Sequence, residues 1–187
     1  MSTQIVPGSI QSVAKNGSVA LAAVNAEVVL ICDRSGSMAA EDAHGGRARY
    51  AVEDEAVENL QKKHPGKIVL IAFADLADMF PGGYLPPPNG STNMIAGLEM
   101  AKPLIEAGLR GVLISDGEPN HPQEAVVAFA RGIQGKLDTI YVGPEGGQGE
   151  KFLKQLAKSI KGSSATYSLK KPPAFLEKGL EQILLLK

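Results

Sequence analysis

The chain has 187 residues, 44% apolar and 21% charged, an ordinary composition for one globular domain with a sizeable core. Its 19 Lys and Arg nearly balance 20 Asp and Glu, so no strong field favours nucleic acid or an acidic membrane surface. A single cysteine and three histidines exclude an intrachain disulfide, a cysteine-based zinc site and a histidine cluster.

No apolar run, Val28 to Cys32 included, is long enough to cross a bilayer. The opening MSTQIVPGSI lacks the basic and apolar regions of a signal peptide, so a cytoplasmic location is expected. Residues 1–100 hold 7 basic and 11 acidic side chains, residues 101–187 hold 12 and 9. The basic excess of the second half sits mostly at Lys151, Lys154, Lys158 and Lys161, at helical spacing opposite Leu153, Leu156, Ala157 and Ile160. No aromatic residues interleave, so a solvated helix face is favoured over an acidic-partner or nucleic-acid patch.

Residues 8–24 suggest a short helix near Ser9–Ala14, broken at Asn16-Gly17, as an extension (1–24) packed on a single domain that spans 1–187. Then apolar β-rich runs alternate with helical patterns. The runs are Glu27–Asp33, Lys67–Ala74, Arg110–Ser115, Leu137–Val142 and a weaker Ala165–Leu169. Their continuous apolar character implies strands buried on both faces, in a mostly parallel sheet covered by helices.

The helical patterns run from Arg49 to Lys63, stopped by His64-Pro65-Gly66; from Asn93 to Ala107, with Pro103 inside and Gly108 as the stop; from Pro122 to Gln134; from Gly149 to Ile160; and from Pro173 to Leu186. One segment breaks the alternation. Leu76–Phe80 follows the second strand with no helix between, and reads as an antiparallel hairpin edge strand turning near Asp75. The proline-rich stretch 81–91 must then carry the chain back across the sheet, and at roughly 3.1 Å per residue it spans roughly 34 Å. This return crossing is favoured over a ligand for an SH3-type domain.

The first strand ends in Asp33-Arg34-Ser35-Gly36-Ser37, and the third parallel strand ends in Ser115-Asp116-Gly117. In an open parallel sheet, ligands bind beyond the carboxyl ends of the strands. Gly90-Ser91-Thr92-Asn93 opens a helix on the same rim. Asp33, Ser35, Ser37, Thr92 and Asp116 therefore converge. Two neighbouring carboxylates repel unless a proton or cation lies between them. Carboxylate, hydroxyl and water together form a hard oxygen site suited to Mg²⁺ or Mn²⁺. If the carboxylates act through water, the ion stays electrophilic and accepts one more carboxylate from outside.

D-x-S-x-S at Asp33, Ser35 and Ser37, G-S-T-N around Thr92 and S-D-G around Asp116 resemble the metal-ion-dependent adhesion site of von Willebrand factor A (vWA) domains, over residues 25–187. The resemblance implies a doubly wound, Rossmann-like α/β three-layer sandwich. Its six-stranded sheet is mostly parallel, with one antiparallel edge strand and order 3-2-1-4-5-6. It implies Mg²⁺ (or Mn²⁺ or Ca²⁺) bound directly by Ser35, Ser37 and Thr92, with Asp33 and Asp116 direct or water-bridged. It also implies a protein partner that supplies a Glu or Asp. Compact members of the family often work beside AAA+ ATPases, chelatase-like complexes or stress-resistance systems. The insert-like AAEDAHGG at 39–46 departs from the pattern and enlarges the rim.

Other readings remain at this point. Asp33, Ser35 and Ser37 alone resemble a helix-capping loop. Asn93 reads as a cap or brace. Glu118, His121, His44 and Arg47 are secondary candidates for partner contact, and Arg34 is expected either to meet an anionic partner or to point into solvent. Cys32 reads as a small buried hydrophobe, and Gly143–Gly149 as a flexible loop without the spacing of a dinucleotide cradle. The enzymatic alternative is Mg²⁺-dependent phosphoryl transfer with Asp33 as nucleophile, although Ser35 stands where a second acid is usually found. A third reading is a scaffold whose metal is purely structural. No catalytic residue is assigned.

Overall fold

Burial of every position in β1 (Val28–Asp33) and β2 (Ile68–Phe73) marks both as interior strands. The computed structural model describes residues 5–14, 17–160 and 162–185. They form one six-stranded sheet in the order β3-β2-β1-β4-β5-β6, with β3 at Ala77–Met79, β4 at Arg110–Ser115, β5 at Leu137–Gly143 and β6 at Ser164–Ser168. All pairings are parallel except β2 with β3, where Phe73 faces Ala77 and Ile71 faces Met79.

Alternate residues of each strand feed two separate cores, as a two-residue side-chain period requires. Leu30, Cys32, Leu70 and Val112 pack with Val57 and Leu60 of α3 (Arg49–Lys63) and with Leu176 and Leu180 of α7 (Pro173–Leu185). Val29, Ile31, Ile71 and Leu113 pack on the other face. Their partners are Leu98 of α4 (Met94–Glu106), Val126 of α5 (Gln123–Arg131) and Phe152 of α6 (Gln148–Ser159). Each such side chain contributes roughly 1.5–3 kcal/mol by leaving water. Helices on both faces of a mostly parallel sheet give the expected doubly wound α/β sandwich, antiparallel edge strand included.

The return crossing is present. Phe80 N–H donates to the Leu70 carbonyl, Leu85 is buried, and Asn89 N–H reaches the Arg34 carbonyl at 2.8 Å. Proline lacks an N–H and resists helix, so a stretch rich in it is suited to running extended beneath the sheet edge.

Several expected boundaries shift. The hairpin strand is three residues long rather than five, because Leu76 is spent on the turn, its carbonyl accepting from Ala74 N–H at 2.9 Å. Asn93 and Pro122 cap their helices from outside. Gly143–Gly149 is less a loop than expected, since β5 includes Gly143 and α6 begins at Gln148. The N-terminal region contains two short helices, α1 (Ile10–Val13) and α2 (Val19–Ala23), where one was expected. Ser9 and Ser18 cap them with their side chains. The α1 segment bonds to the return crossing through Val6 N–H to the Gly82 carbonyl and Gln11 N–H to the Pro81 carbonyl. The break at Asn16, Lys161 and the expected helix end at Leu186 lie outside the described residues. Among the described residues, no helix is long and apolar enough to cross a membrane.

The first turn of α6 presses on the loop after β4. A Cβ built on Gly149 would lie 1.9 Å from the Asp116 carbonyl oxygen, and Gly117 opposite has φ +78°. Only glycine permits that approach. Alanine ordinarily favours a helix over glycine by up to about 1 kcal/mol. Here the sign inverts: Gly149→Ala is expected to destabilise the protein by about 2 kcal/mol or more, in the range of overpacked sites, as read from denaturant unfolding.

Candidate metal centre

Three segments from distant parts of the sequence meet at the carboxyl ends of β1 and β4. The first is the turn after β1. Asp33 is fully buried, and its Oδ1 accepts from Ser35 N–H at 2.8 Å, the local bond by which a short acidic side chain folds its own chain into a turn. A 3-10 turn, Gly36–Ala39, follows, with Met38 buried beneath it. This geometry brings the Ser35 and Ser37 hydroxyls to 3.0 Å of each other. Ser35 is buried and Ser37 is exposed, so the turn opens to solvent on one side.

The second segment is the end of β4. Ser115 is buried, and its hydroxyl donates to Asp33 Oδ2 at 2.6 Å while accepting from Gly117 N–H at 2.9 Å. Both oxygens of Asp33 are thus held, one by its own turn and one by the neighbouring strand. Asp116 is 5% exposed; its Oδ2 accepts from Arg49 Nη1 at 3.1 Å, while its Oδ1 is buried with no hydrogen-bond partner.

The third segment arrives with the return crossing. Gly36 N–H donates to the Gly90 carbonyl at 3.0 Å, and Asn120 N–H donates to the Thr92 carbonyl at 3.0 Å. Thr92 is buried, and Asn93 caps α4 by accepting from Ala96 N–H while its amide reaches the Asp75 carbonyl. Gly90 has φ +64°, and a Cβ there would strike the Asp75 carboxylate at 2.2 Å. That same carboxylate accepts from Ser91 N–H and its hydroxyl, so Asp75 locks the approach to Thr92.

Each of the five expected residues therefore lies on one of three mutually hydrogen-bonded segments. Ser35 and Ser37 are in direct contact, and Asp33 is joined to β4 through Ser115. Among the described residues no group of three or more His, Cys, Asp or Glu forms a metal cage; the five expected residues offer two carboxylates and three hydroxyls. Burial, and next the nearby Asp116 charge, push the Asp33 carboxyl up to about 6, against the lowering bonds from Ser115 and Ser35. A buried carboxylate facing another with an orphaned oxygen between segments is the electrostatic setting that a hard cation relieves. The residues present fit such an ion.

The structure corrects one expectation and completes others. Arg34 neither points into solvent nor meets a partner; its side chain is 2% exposed and lies beneath α3. It stands 4.0 Å from Glu53, 3.6 Å from Asp54 and 5.6 Å from the Tyr50 ring centre. Its N–H is taken by the Phe73 carbonyl, which fixes the backbone so that the side chain turns inward. Cys32 is buried as expected, its thiol pushed up by burial. His44 is 3.0 Å from the Lys170 carbonyl, and Arg47 pairs with Glu55 at 2.7 Å. Glu118 is exposed, and His121 Nδ1 is buried without a partner. Lys151, Lys154 and Lys158 face solvent on α6. Three residues of the site lay outside the sequence reading: Ser115, Arg49 and Asp42. The S-D-G triplet signals Ser115; nothing local in the sequence distinguishes Arg49 from any first-turn arginine.

The fold is similar to that of solved proteins. The crystal structure of the SpRpn10 VWA domain superposes with a TM-score of 0.61 at 12% identity, over 83% of this chain and 93% of that one. The chain has the vWA fold. The von Willebrand factor type A protein from Catenulispora acidiphila matches with a TM-score of 0.52 at 18% identity, over 85% of this chain and 42% of that one. This chain thus spans less than half of that second protein's length. No protein-family model matches the sequence, and no curated protein is significantly similar to it.

The Asp33 carboxyl gives the site a pH signature. The value of about 6 lies above the ordinary 3.8, so the stability tied to Asp33 is complete below about pH 4 and is lost as pH rises through 6. At about 1.4 kcal/mol for each tenfold change in proton affinity the loss is up to about 3 kcal/mol. In EDTA, Asp33→Asn is expected to stabilise the protein by up to that amount at pH 7.5, and the gain is expected to vanish near pH 4, as measured by chemical denaturation across pH.

Proposed function

We propose that this chain is a divalent-metal-dependent protein-binding module. In this reading an Mg²⁺-type ion at the carboxyl rim takes a Glu or Asp side chain of a partner protein. The observation that supports it most directly is Asp116. Its Oδ1 is buried and unpartnered beside a second buried carboxylate, at a rim that Ser37 leaves open to solvent. Ser35, Ser37 and Thr92 would hold the ion through hydroxyl oxygens. Asp33 suits a water-bridged role, since both its oxygens already accept hydrogen bonds; Asp116 has one oxygen to give. A bound ion supplies Lewis acidity toward an incoming carboxylate. With mostly neutral oxygens around it, little negative charge repels that carboxylate.

Phosphoryl transfer from Asp33 is the weaker reading for a geometric reason. A nucleophilic carboxylate must present a free oxygen, and Asp33 is fully buried with both oxygens bonded. A purely structural ion is weaker because the Ser37 side of the site is exposed. The vWA fold of the chain is consistent with partners such as AAA+ ATPases or stress-resistance assemblies, and the partner is expected to be a protein rather than nucleic acid or membrane.

Mg²⁺ alone tests the ion. Saturating it to about 100 times its dissociation constant stabilises a single-site protein by about 2.7 kcal/mol. A rise in melting temperature is expected at pH 7.5, smaller at pH 5 where Asp33 is protonated, and absent in Asp116→Ala; a melting temperature indifferent to Mg²⁺ would remove the proposal. A panel of acidic peptides titrated onto the full chain tests recognition. Binding that needs Mg²⁺, fails in EDTA and fails in Asp116→Ala is expected, whereas affinity indifferent to the metal would leave only a scaffold.

A further inference from the structure

The insert between the 3-10 turn and α3 is connected to the site through one side chain. Its backbone closes on itself, with Ala43 N–H bonded to the Arg47 carbonyl at 3.0 Å and Gly46 N–H to the Ala43 carbonyl at 2.9 Å. Asp42 stands on this loop and is 40% exposed. Arg49, the first residue of α3, has a side chain only 11% exposed. Its Nε and Nη2 donate to the two oxygens of Asp42 at 2.8 and 2.6 Å, and its Nη1 donates to Asp116 Oδ2 at 3.1 Å. A two-point fork fixes the plane of a guanidinium, so Asp42 determines how Arg49 meets Asp116. The second anchor of the insert, His44 against the Lys170 carbonyl at 3.0 Å, ties it to the segment between β6 and α7.

We propose that Asp42 and Arg49 are positioning residues of the ion site and that, through them, the insert sets its divalent-ion affinity. Arg49 aligns Asp116 by holding Oδ2, which leaves the unpartnered Oδ1 for the cation or its water. Asp42 neutralises Arg49, so that the guanidinium aligns the carboxylate without repelling the ion. Uncompensated, a buried positive charge one carboxylate away from a divalent ion opposes binding strongly. Hydrogen-bond partners behind a metal-binding carboxylate commonly change affinity 10- to 100-fold. This inference rests on the ion-binding reading above.

The experiment is calorimetric titration of Mg²⁺ into the full chain at pH 7.5, for wild type, Asp42→Asn, Asp42→Glu and the double variant Asp42→Asn/Arg49→Met. Melting temperatures in EDTA report folding of each. Asp42→Asn is expected to weaken Mg²⁺ binding about tenfold or more, because it uncovers the Arg49 charge. Asp42→Glu is expected to stay near wild type. The double variant is expected to bind Mg²⁺ more tightly than Asp42→Asn, because the uncovered charge is gone, and more weakly than wild type, because Asp116 is no longer aligned. A loop that matters only for packing gives the opposite order, with the double variant at least as weak as the single one, and that result overturns the inference. So does an Asp42→Asn affinity within twofold of wild type. Wild-type protein that takes up no Mg²⁺ removes the ion-binding reading itself, and this inference with it; wild-type binding with an indifferent Asp42→Asn removes only the role of the insert.

Discussion

Two acidic side chains that water would keep apart are buried at the ends of adjacent strands, and the site is organised around tolerating them. Ser115 ties β4 to the Asp33 carboxylate at 2.6 Å, and Arg49 reaches Asp116 at 3.1 Å. These contacts offset only part of the cost, since Asp33 still titrates well above its ordinary range. The remainder is chiefly the cost of burying the Asp33 charge, and next its repulsion with Asp116. In the reading we propose, an incoming cation would relieve that cost.

The sheet makes that arrangement possible and cheap to hold. Both β1 and β2 are buried at every position, so the turns at their carboxyl ends are anchored on a stiff, close-packed support. Parallel pairing brings the ends of β1 and β4 together on one rim, with Cys32 opposite Ile114. Glycines at 90, 117 and 149 let backbone segments approach where any side chain would intrude. Asp75 then fastens the segment that delivers Thr92. The site is thus assembled by main-chain and side-chain contacts together.

The parts of this architecture legible in the sequence were those written in short, local patterns. Continuous apolar runs mark the buried strands, and helices between all but one pair imply parallel pairing, whereas the order 3-2-1-4-5-6 came only with the family resemblance. The D-x-S-x-S, G-S-T-N and S-D-G segments supply the five residues that lie on the three hydrogen-bonded segments of the rim. The missing parts depend on distance in sequence. Arg49 meets Asp116 across 67 positions, and nothing near either residue records that contact. Arg34 was misread because a charged residue beside a site usually faces outward, whereas here Glu53, Asp54 and the Tyr50 ring receive it below α3. The second N-terminal helix was missed because VALAA carries no periodic pattern, only a serine cap.

The spacing of β1 and β4 also bears on how the molecule is made. Asp33 and Ser115 are 82 residues apart, and the central strand has no neighbour on that flank until the later one is synthesised. At about 5–20 residues per second on the ribosome, a bare apolar strand waits roughly 4 to 16 s for its mate. A nascent chain of this design carries an unpaired apolar strand flank through that interval, the kind of transient exposure that favours aggregation.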